Sequence, residues 1–339
     1  MDIDRFLAAN QPAWDRLVVL CDRAERGVRR LQATDIDELV RLYQRTSSHL
    51  SYARTYFADP VLTARLTALV ARANAIVYGT RPRTLRAFGR FFTTTFPAAV
   101  WDARRFIAIS AAFFFVPAIV LGVWLAHSPQ AINATAPAAL RQAYIDHDFA
   151  AYYRNQHSAQ FAAQVQTNNI EVAFLAWAGG ITGGLLTILA LARNGASLGI
   201  AAGLFANAGK QAQFYGLILP HGLLELTSIV IAGGAGLRLG WALIAPGDRS
   251  RATALAEEGR RSVTIAAGLI VTFLIAGTIE GFVTGSGLAT AVRVGIGAVV
   301  EASFLTYVLV LGRAAATRGF TGALGEDDDR ISLVVQPST

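Results

Sequence analysis

The stretch that decides the fold is FYGLILPHGLLELTSIVIAGGAGLR, residues 214–238, an apolar run that also contains Pro220, His221 and Glu225. As a helix it would span roughly 37 Å, which is enough to cross a bilayer. His221 and Glu225 are four residues apart and therefore share one helical face. An ionisable side chain at membrane depth is costly unless it is paired, hydrated or faces the interior of a helix bundle. The His221 and Glu225 pair therefore predicts a bundle of transmembrane helices.

The composition of the whole chain is typical of a polytopic membrane protein. Of its 339 residues, 53% are hydrophobic and only 16% are charged. The net charge of +7 comes almost wholly from arginine, since Lys210 is the only lysine. These arginines flank apolar spans, as the positive-inside rule expects, so we expect no nucleic-acid binding. The single cysteine, Cys21, excludes an intrachain disulfide.

Six apolar segments predict an all-α, polytopic transmembrane helix bundle with about six crossings. They cover residues 106–126, 170–192, 196–208, 214–238, 263–284 and 289–311. The third has only thirteen residues, which predicts a short or broken segment. We expect it to cross, because Arg193, Arg238 and Arg313 then lie on one, cytoplasmic side. Both termini are then cytoplasmic, and we expect the location to be the bacterial plasma membrane.

The remaining sequence divides the chain into further regions. Three amphipathic helical patterns predict a cytoplasmic helical bundle over residues 1–80. In residues 81–105, Phe88, Phe92 and Phe96 recur every four residues among arginines. This pattern predicts an amphipathic linker helix at the membrane interface. The alternative is a fourth helix of the bundle. The transmembrane domain is expected over residues 106–315, including an extracytoplasmic helical segment at 127–168. Residues 316–339 are expected to form a disordered cytoplasmic tail.

Polar residues inside the apolar spans form the candidate intramembrane site. We expect His221, Glu225 and Glu301 to face one shared cavity, with Asn194 and Asn207 at the ends of the short segment. Glu171 and Glu280, on two further spans, complete the candidate set. Such residues could fix helix packing, hold a metal ion such as Zn²⁺, or relay protons. We favour a functional site, because apolar residues would pack the helices together at a lower free-energy cost. No cofactor is expected, a metal ion being the alternative.

The order of short motifs resembles a known family. An Asn-Asn pair at residues 168–169 precedes a glycine-rich span, and Asn194-Gly195 opens a segment that contains Gly199 and Gly203. The string P-H-G-x-x-E-L follows at residues 220–226, and glycines follow it at 233, 234 and 236. Over roughly residues 100–315 this resembles the stage II sporulation protein M family of bacterial membrane proteins, and residues 1–80 resemble the amino-terminal extension of actinobacterial members. The resemblance implies a membrane anchor for peptidoglycan-degrading partners. It implies no catalytic residues.

Three classes of function follow. The first is a non-enzymatic membrane scaffold or regulator of cell-envelope machinery, acting in peptidoglycan remodelling or a sporulation-like process. The second is a transporter or lipid-handling protein that uses the acidic cavity, and the third is an intramembrane metal-dependent hydrolase. A scaffold needs no connected polar cavity, whereas the other two do. The expected partners are membrane lipids, an envelope enzyme or cytoplasmic protein, and a second copy of the chain. A homodimer is expected because the Gly199-x-x-x-Gly203 spacing allows helices to approach closely.

Overall fold

The computed structural model describes residues 3–25, 31–57, 59–77, 85–149 and 158–326. Within these ranges all regular structure is helical, which confirms the predicted all-α class. The chain divides into two compact units, Met1–Phe88 and Gly89–Thr339. Residues 78–80 of the predicted bundle, 81–84 of the predicted linker, 150–157 of the predicted extracytoplasmic segment and 327–339 of the predicted tail lie outside the described residues.

Unit 1 is built from three helices, α1 (Ile3–Glu25), α2 (Ala33–Tyr56) and α3 (Pro60–Val77). Apolar side chains at helical spacing meet in one core, in which Trp14 and Leu66 are fully buried. Ion pairs join the helices at the surface. Arg16 on α1 contacts Glu38 on α2 at 2.6 Å, and the Arg72 side chain on α3 contacts Glu25 at 2.6 Å.

Unit 2 contains the remaining helices of the described chain. They are α4 (Leu85–Arg90, shared with the end of unit 1), α5 (Phe96–Asp102), α6 (Arg104–His127), α7 (Pro129–Thr135), α8 (Ala138–Ala143), α9 (Ser158–Ala178), α10 (Leu185–Asn207), α11 (Gln211–Ile244), α12 (Arg251–Ile279) and α13 (Thr290–Thr317). Wider π-helical turns occur at Phe91–Thr95, Tyr144–Asp148 and Glu280–Thr284, and a 3₁₀ turn occurs at Gly179–Thr182.

Six helices of the described chain are long and apolar enough to cross a membrane. They are α3, α6, α10, α11, α12 with its π turn, and α13. Among them, α3 packs its buried leucines into the core of unit 1. Helix α9 is not among the six, but it packs against α11 inside unit 2 and completes a bundle of six helices there.

The break in the glycine-rich region lies at a different place from the one expected. Residues 196–207 are the second half of the continuous helix α10, so they are not a separate short segment. The chain breaks instead between α9 and α10, where Gly183 and Gly184 adopt φ values of 71° and 87°. Such left-handed conformations are readily adopted only by glycine, and they end the helix. The predicted span 170–192 is therefore divided into two helices.

The glycines of α10 serve close packing against α6. A Cβ atom at Gly195 would lie 1.9 Å from the Phe114 carbonyl oxygen, and one at Gly199 would lie 2.3 Å from the Ala118 carbonyl oxygen. Along this contact the residue numbers of α6 and α10 increase in the same direction, so the two helices run parallel. The Gly199-x-x-x-Gly203 face is therefore used within the chain, by α6.

Residues 96–103 lie inside the bundle, which differs from the interfacial helix expected over 81–105. Phe96 to Val100 are buried, and the Phe96 ring lies where a Cβ atom at Gly268 of α12 would be. The Pro97 carbonyl lies against Gly312 of α13. At the carboxyl end, α13 continues to Thr317, and Gly322, within the predicted tail, lies against Ala99 of α5.

Candidate functional site

Polar side chains from three segments meet inside unit 2. His221 and Glu225 come from α11, Glu280 and Thr284 from the π turn after α12, and Asn169 from α9. We refer to these five residues as the buried polar cluster. The exposed fractions of His221, Glu225 and Glu280 are 3%, 2% and 3%, so protein atoms enclose all three.

Hydrogen bonds tie the cluster across helices. The Nδ1 atom of His221 lies 3.0 Å from the hydroxyl oxygen of Thr284. On the other side of the imidazole ring, Nε2 lies 3.8 Å from a carboxylate oxygen of Glu280. The side-chain amide of Asn169 donates to Glu225 Oε2 at 2.5 Å. The cluster therefore connects α9, α11 and the end of α12.

The local sequence explains how these residues meet. The four-residue spacing of His221 and Glu225 places both on one face of α11, and Glu280 and Thr284 have the same spacing in the opposing π turn. A π turn widens a helix locally and is often found at functional positions. Nearby, Gly297 allows α13 to approach α11 closely, since a Cβ atom there would lie 2.3 Å from the Pro220 carbonyl oxygen.

Part of the carboxylate surface has no hydrogen-bond donor. Among the described residues, Glu225 Oε1 and both carboxylate oxygens of Glu280 are buried without a hydrogen-bond partner. The two carboxylates are also close enough to repel each other electrostatically. Buried polar atoms are rarely unsatisfied, because an uncompensated buried charge is costly. The arrangement can thus take up a proton or a cation, or it can be tolerated as a packing element.

Glu301 lies in a different contact from the one expected. Its Oε1 atom accepts a hydrogen bond from the Thr227 hydroxyl at 2.7 Å. Thr227 is two residues beyond Glu225 and therefore points to roughly the opposite side of α11. The carboxylate that approaches His221 is that of Glu280, so the expected grouping of His221, Glu225 and Glu301 is replaced by His221, Glu225 and Glu280.

The other candidate residues lie apart from these contacts. Glu171 is exposed on α9. Asn194 donates to the Ala190 carbonyl of its own helix at 3.0 Å, and Asn207 donates to the Ala126 carbonyl at 3.3 Å. Asn169 and Thr284 were not among the candidate residues. The four-residue spacing of Thr284 from Glu280 is the one feature of the sequence that could have indicated that Thr284 belongs to the cluster.

Within the described ranges, no three His, Cys, Asp or Glu side chains are arranged as a group that could hold a metal ion. A second polar link lies beside the cluster. The Arg293 guanidinium on α13 donates to the Thr284 carbonyl and, at 3.1 Å, to the Thr290 hydroxyl. Polar contacts therefore also extend from this region to α13.

Comparison with known proteins gives matches for both units. Residues 4–79 match a family described as a domain of unknown function (DUF8413). An uncharacterised protein of Methanocaldococcus jannaschii is 37% identical over 76 residues, which cover 22% of this chain and 43% of that protein. The chain thus spans less than half the length of this curated relative. No solved structure matches the chain.

The membrane unit has the informative match. The family model of stage II sporulation protein M matches residues 111–285, slightly more than half of the chain, and this range includes His221, Glu225 and Glu280. Together with the apolar helices, the match indicates a multi-pass membrane protein. The chain belongs to the stage II sporulation protein M family.

Proposed function

We propose that the protein is a non-enzymatic membrane scaffold or regulator of cell-envelope machinery in the bacterial plasma membrane. The observation that supports this role is the enclosure of the buried polar cluster. His221, Glu225 and Glu280 are each no more than 3% exposed. A transported solute or a hydrolysed substrate must reach reactive groups, whereas a scaffold needs only a stable arrangement of helices.

Two cavities in unit 2 fit the same interpretation. One, of about 420 Å³, lies among charged residues near Arg238, and the other, of about 470 Å³, is an apolar space between α12 and α13. Neither is lined by His221, Glu225 or Glu280. Neither cavity therefore gives access to these three buried ionisable side chains, which a transporter or hydrolase would use.

A scaffold also needs surfaces for partners. In unit 1, Tyr56 and Val61 are 68% and 78% exposed, and in the segment after α6, Leu140 is 63% exposed. We propose that unit 1 contacts a cytoplasmic protein and that the segment at 127–149 contacts an envelope enzyme, such as one that remodels peptidoglycan. Protein contacts often form at contiguous exposed apolar patches, to which these side chains would contribute.

A homodimer remains part of the proposal. Because the α10 glycines already pack against α6, a second copy would use other apolar helix surfaces. Native mass spectrometry of the full chain from lipid nanodiscs should give the mass of a dimer. Monomers at every protein concentration would contradict this part of the proposal.

One observation favours a second candidate, a transporter or lipid-handling protein. The unsatisfied carboxylate oxygens of Glu280 and Glu225 are the kind of groups that bind protons or cations in membrane proteins. The third candidate, a metal-dependent hydrolase, has less support, because the described residues form no group of three ligands.

Photo-crosslinking in cells tests the scaffold role. A benzophenone amino acid at position 140 or 61 should form adducts with envelope enzymes or a cytoplasmic partner, identified by mass spectrometry. The matched controls are the buried positions Leu125 and Leu66, with exposed fractions of 3% and 0%. Solute transport by the purified protein in liposomes, with no protein adducts at the exposed positions, would contradict the proposal.

A further inference from the structure

An arginine-rich cavity lies at the end of unit 2 that the arginine distribution places at the cytoplasmic membrane surface. It has a volume of about 420 Å³ and lies between the start of α6 and the end of α11. Four arginines and two acids are among its lining residues: Arg104, Arg105, Arg238, Arg249, Asp102 and Glu258. We call it the arginine cavity.

Acidic neighbours already compensate two of the four arginines. Arg238 contacts Asp102 at 2.7 Å and Glu258 at 2.6 Å. Arg249 contacts Glu257 at 2.5 Å. These ion pairs hold α5, α11 and α12 together and form the fixed wall of the cavity.

The other two arginines supply an excess of positive charge. Arg104 and Arg105 are the first residues of α6, and both are exposed. The Arg104 side chain donates to the Trp101 carbonyl at 3.0 Å, and its guanidinium lies 5.0 Å from the centre of the Trp101 ring. Neither arginine forms an ion pair with an acidic side chain of the described chain. Their donor groups can therefore bind an anion.

Apolar side chains continue from this charged cavity along the bundle. Trp241 lines it and is 54% exposed, and Ile244, in the same last turns of α11, is 59% exposed. Tryptophan is typical of the membrane interface, where its ring lies at the level of the lipid headgroups. The cavity thus combines an anion-binding end with an apolar surface suited to acyl chains.

We propose that the arginine cavity binds the phosphate-bearing headgroup of an anionic phospholipid. Guanidinium groups form paired hydrogen bonds to phosphate oxygens. Basic cavities between transmembrane helices on the cytoplasmic side are suited to anionic headgroups. The bound lipid would connect α6 to α11. This proposal does not depend on whether the protein acts as a scaffold.

Native mass spectrometry of the full chain tests the lipid site. Protein in detergent is titrated with phosphatidylglycerol, which is anionic, or with phosphatidylcholine, which carries no net charge. We expect preferential retention of phosphatidylglycerol. The Arg104→Gln/Arg105→Gln variant should weaken this binding roughly tenfold or more, since each arginine near anionic lipid contributes about 1 kcal/mol. The matched Arg313→Gln/Arg318→Gln variant removes the same charge at the end of α13 and should retain the lipid.

Three results would overturn the proposal. The first is equal retention of both lipids, and the second is equal loss of phosphatidylglycerol in the two double variants. The third is displacement of the lipid by inorganic phosphate at equal concentration, which would indicate a site for free phosphate. If the Arg104/Arg105 variant does not fold, Arg105→Gln alone serves, because it changes one exposed side chain. That variant should still show weaker phosphatidylglycerol binding, and unchanged binding would count against the site.

Discussion

The most informative individual residues are the buried carboxylates of Glu225 and Glu280. Each lies almost wholly out of contact with solvent, and three of their four carboxylate oxygens lack a hydrogen-bond donor among the described residues. One side chain, Asn169, provides the hydrogen bond that Glu225 does receive. The stability of the helix bundle should therefore depend strongly on this single amide.

Replacing Asn169 by leucine removes the donor and leaves Glu225 without a hydrogen bond. We expect the variant to lose about 1–3 kcal/mol of stability, the usual cost of an unsatisfied buried polar group. Unfolding by dodecyl sulfate in mixed micelles measures the change. The control is Glu171→Gln, an exposed position two residues further along the same helix, which should change stability by less than about 0.5 kcal/mol. Equal effects of both variants would refute the importance of the Asn169–Glu225 bond.

His49 should make the stability of unit 1 depend on pH. Burial lowers the pKa of His49 below its ordinary value of 6.5, and the charge of Arg45 lowers it further. The Trp14 indole N–H donates to Nδ1 of His49 at 3.1 Å, a contact that requires this nitrogen to be unprotonated. The unfolded chain therefore binds a proton more readily than the folded chain, and stability falls as pH drops below about 6.5.

Hydrogen exchange of the full chain measures this effect. Peptides from α1 and α2 should exchange faster at pH 5.5 than at pH 7.5, after correction for the intrinsic effect of pH on exchange. In a His49→Gln variant the difference should shrink. An unchanged difference in that variant would assign the pH dependence to other groups.

The sequence predicted part of the site at the residue scale. His221, Glu225 and Glu280 were recognisable because ionisable residues are rare in apolar spans. The pairing of His221 with Glu280 instead of Glu301 was not predictable, because both acids lie on apolar helices and their rotation about the helix axis depends on packing. Asn169 lies in the middle of α9 as part of the Asn-Asn pair, and Thr284 ends the π turn. Both side chains are uncharged, so hydropathy gives no reason to assign them to the site.

At the scale of helices, glycine has two roles that the sequence alone does not distinguish. Gly183 and Gly184 end a helix through positive φ values, whereas Gly195 and Gly199 allow α10 to pack closely against α6. The polar Arg193-Asn194-Gly195 string resembled a loop, yet Asn194 bonds to its own helix and Gly195 is a contact point. Apolar periodicity therefore predicted the spans better than it predicted where they begin and end.

Two glycine substitutions separate these roles. Gly195→Ala would place a Cβ atom 1.9 Å from the Phe114 carbonyl oxygen, so α6 and α10 must move apart, and we expect a loss of about 1–3 kcal/mol or more. Gly295→Ala on α13 meets open space and should be neutral or stabilising by up to about 1 kcal/mol. Thermal unfolding in nanodiscs measures both changes. A tolerated Gly195→Ala would contradict the close contact of these helices.

At the scale of the whole molecule, the helix order is compatible with the expected topology. Six helices of unit 2, namely α6 and α9 to α13, follow one another along the chain, and α6 and α10 run parallel. An alternating path with Arg104 and Arg105 on the cytoplasmic side places the turn after α6 outside and the loop before α12 inside. This path predicts that both ends of unit 2 lie on the cytoplasmic side.

Cysteine labelling in intact cells tests this topology. In a Cys21→Ala background, a cysteine at Ala134, exposed on α7, should react with a membrane-impermeant maleimide. A cysteine at Ser250, exposed before α12, should react only after the cells are lysed. Labelling of the Ser250 position in intact cells would contradict the predicted six crossings.

The central claim is that the buried polar cluster is enclosed and therefore does not handle a solute. Carbodiimide modification of the full chain in nanodiscs, followed by peptide mass spectrometry, tests it in one measurement. Glu171, which is exposed, and Glu301, which is half-buried, should be modified, whereas Glu225 and Glu280 should remain unmodified until the protein is unfolded. Modification of Glu225 or Glu280 in the folded protein as fast as that of Glu171 would show that the cluster opens, and would contradict the scaffold in favour of a transporter.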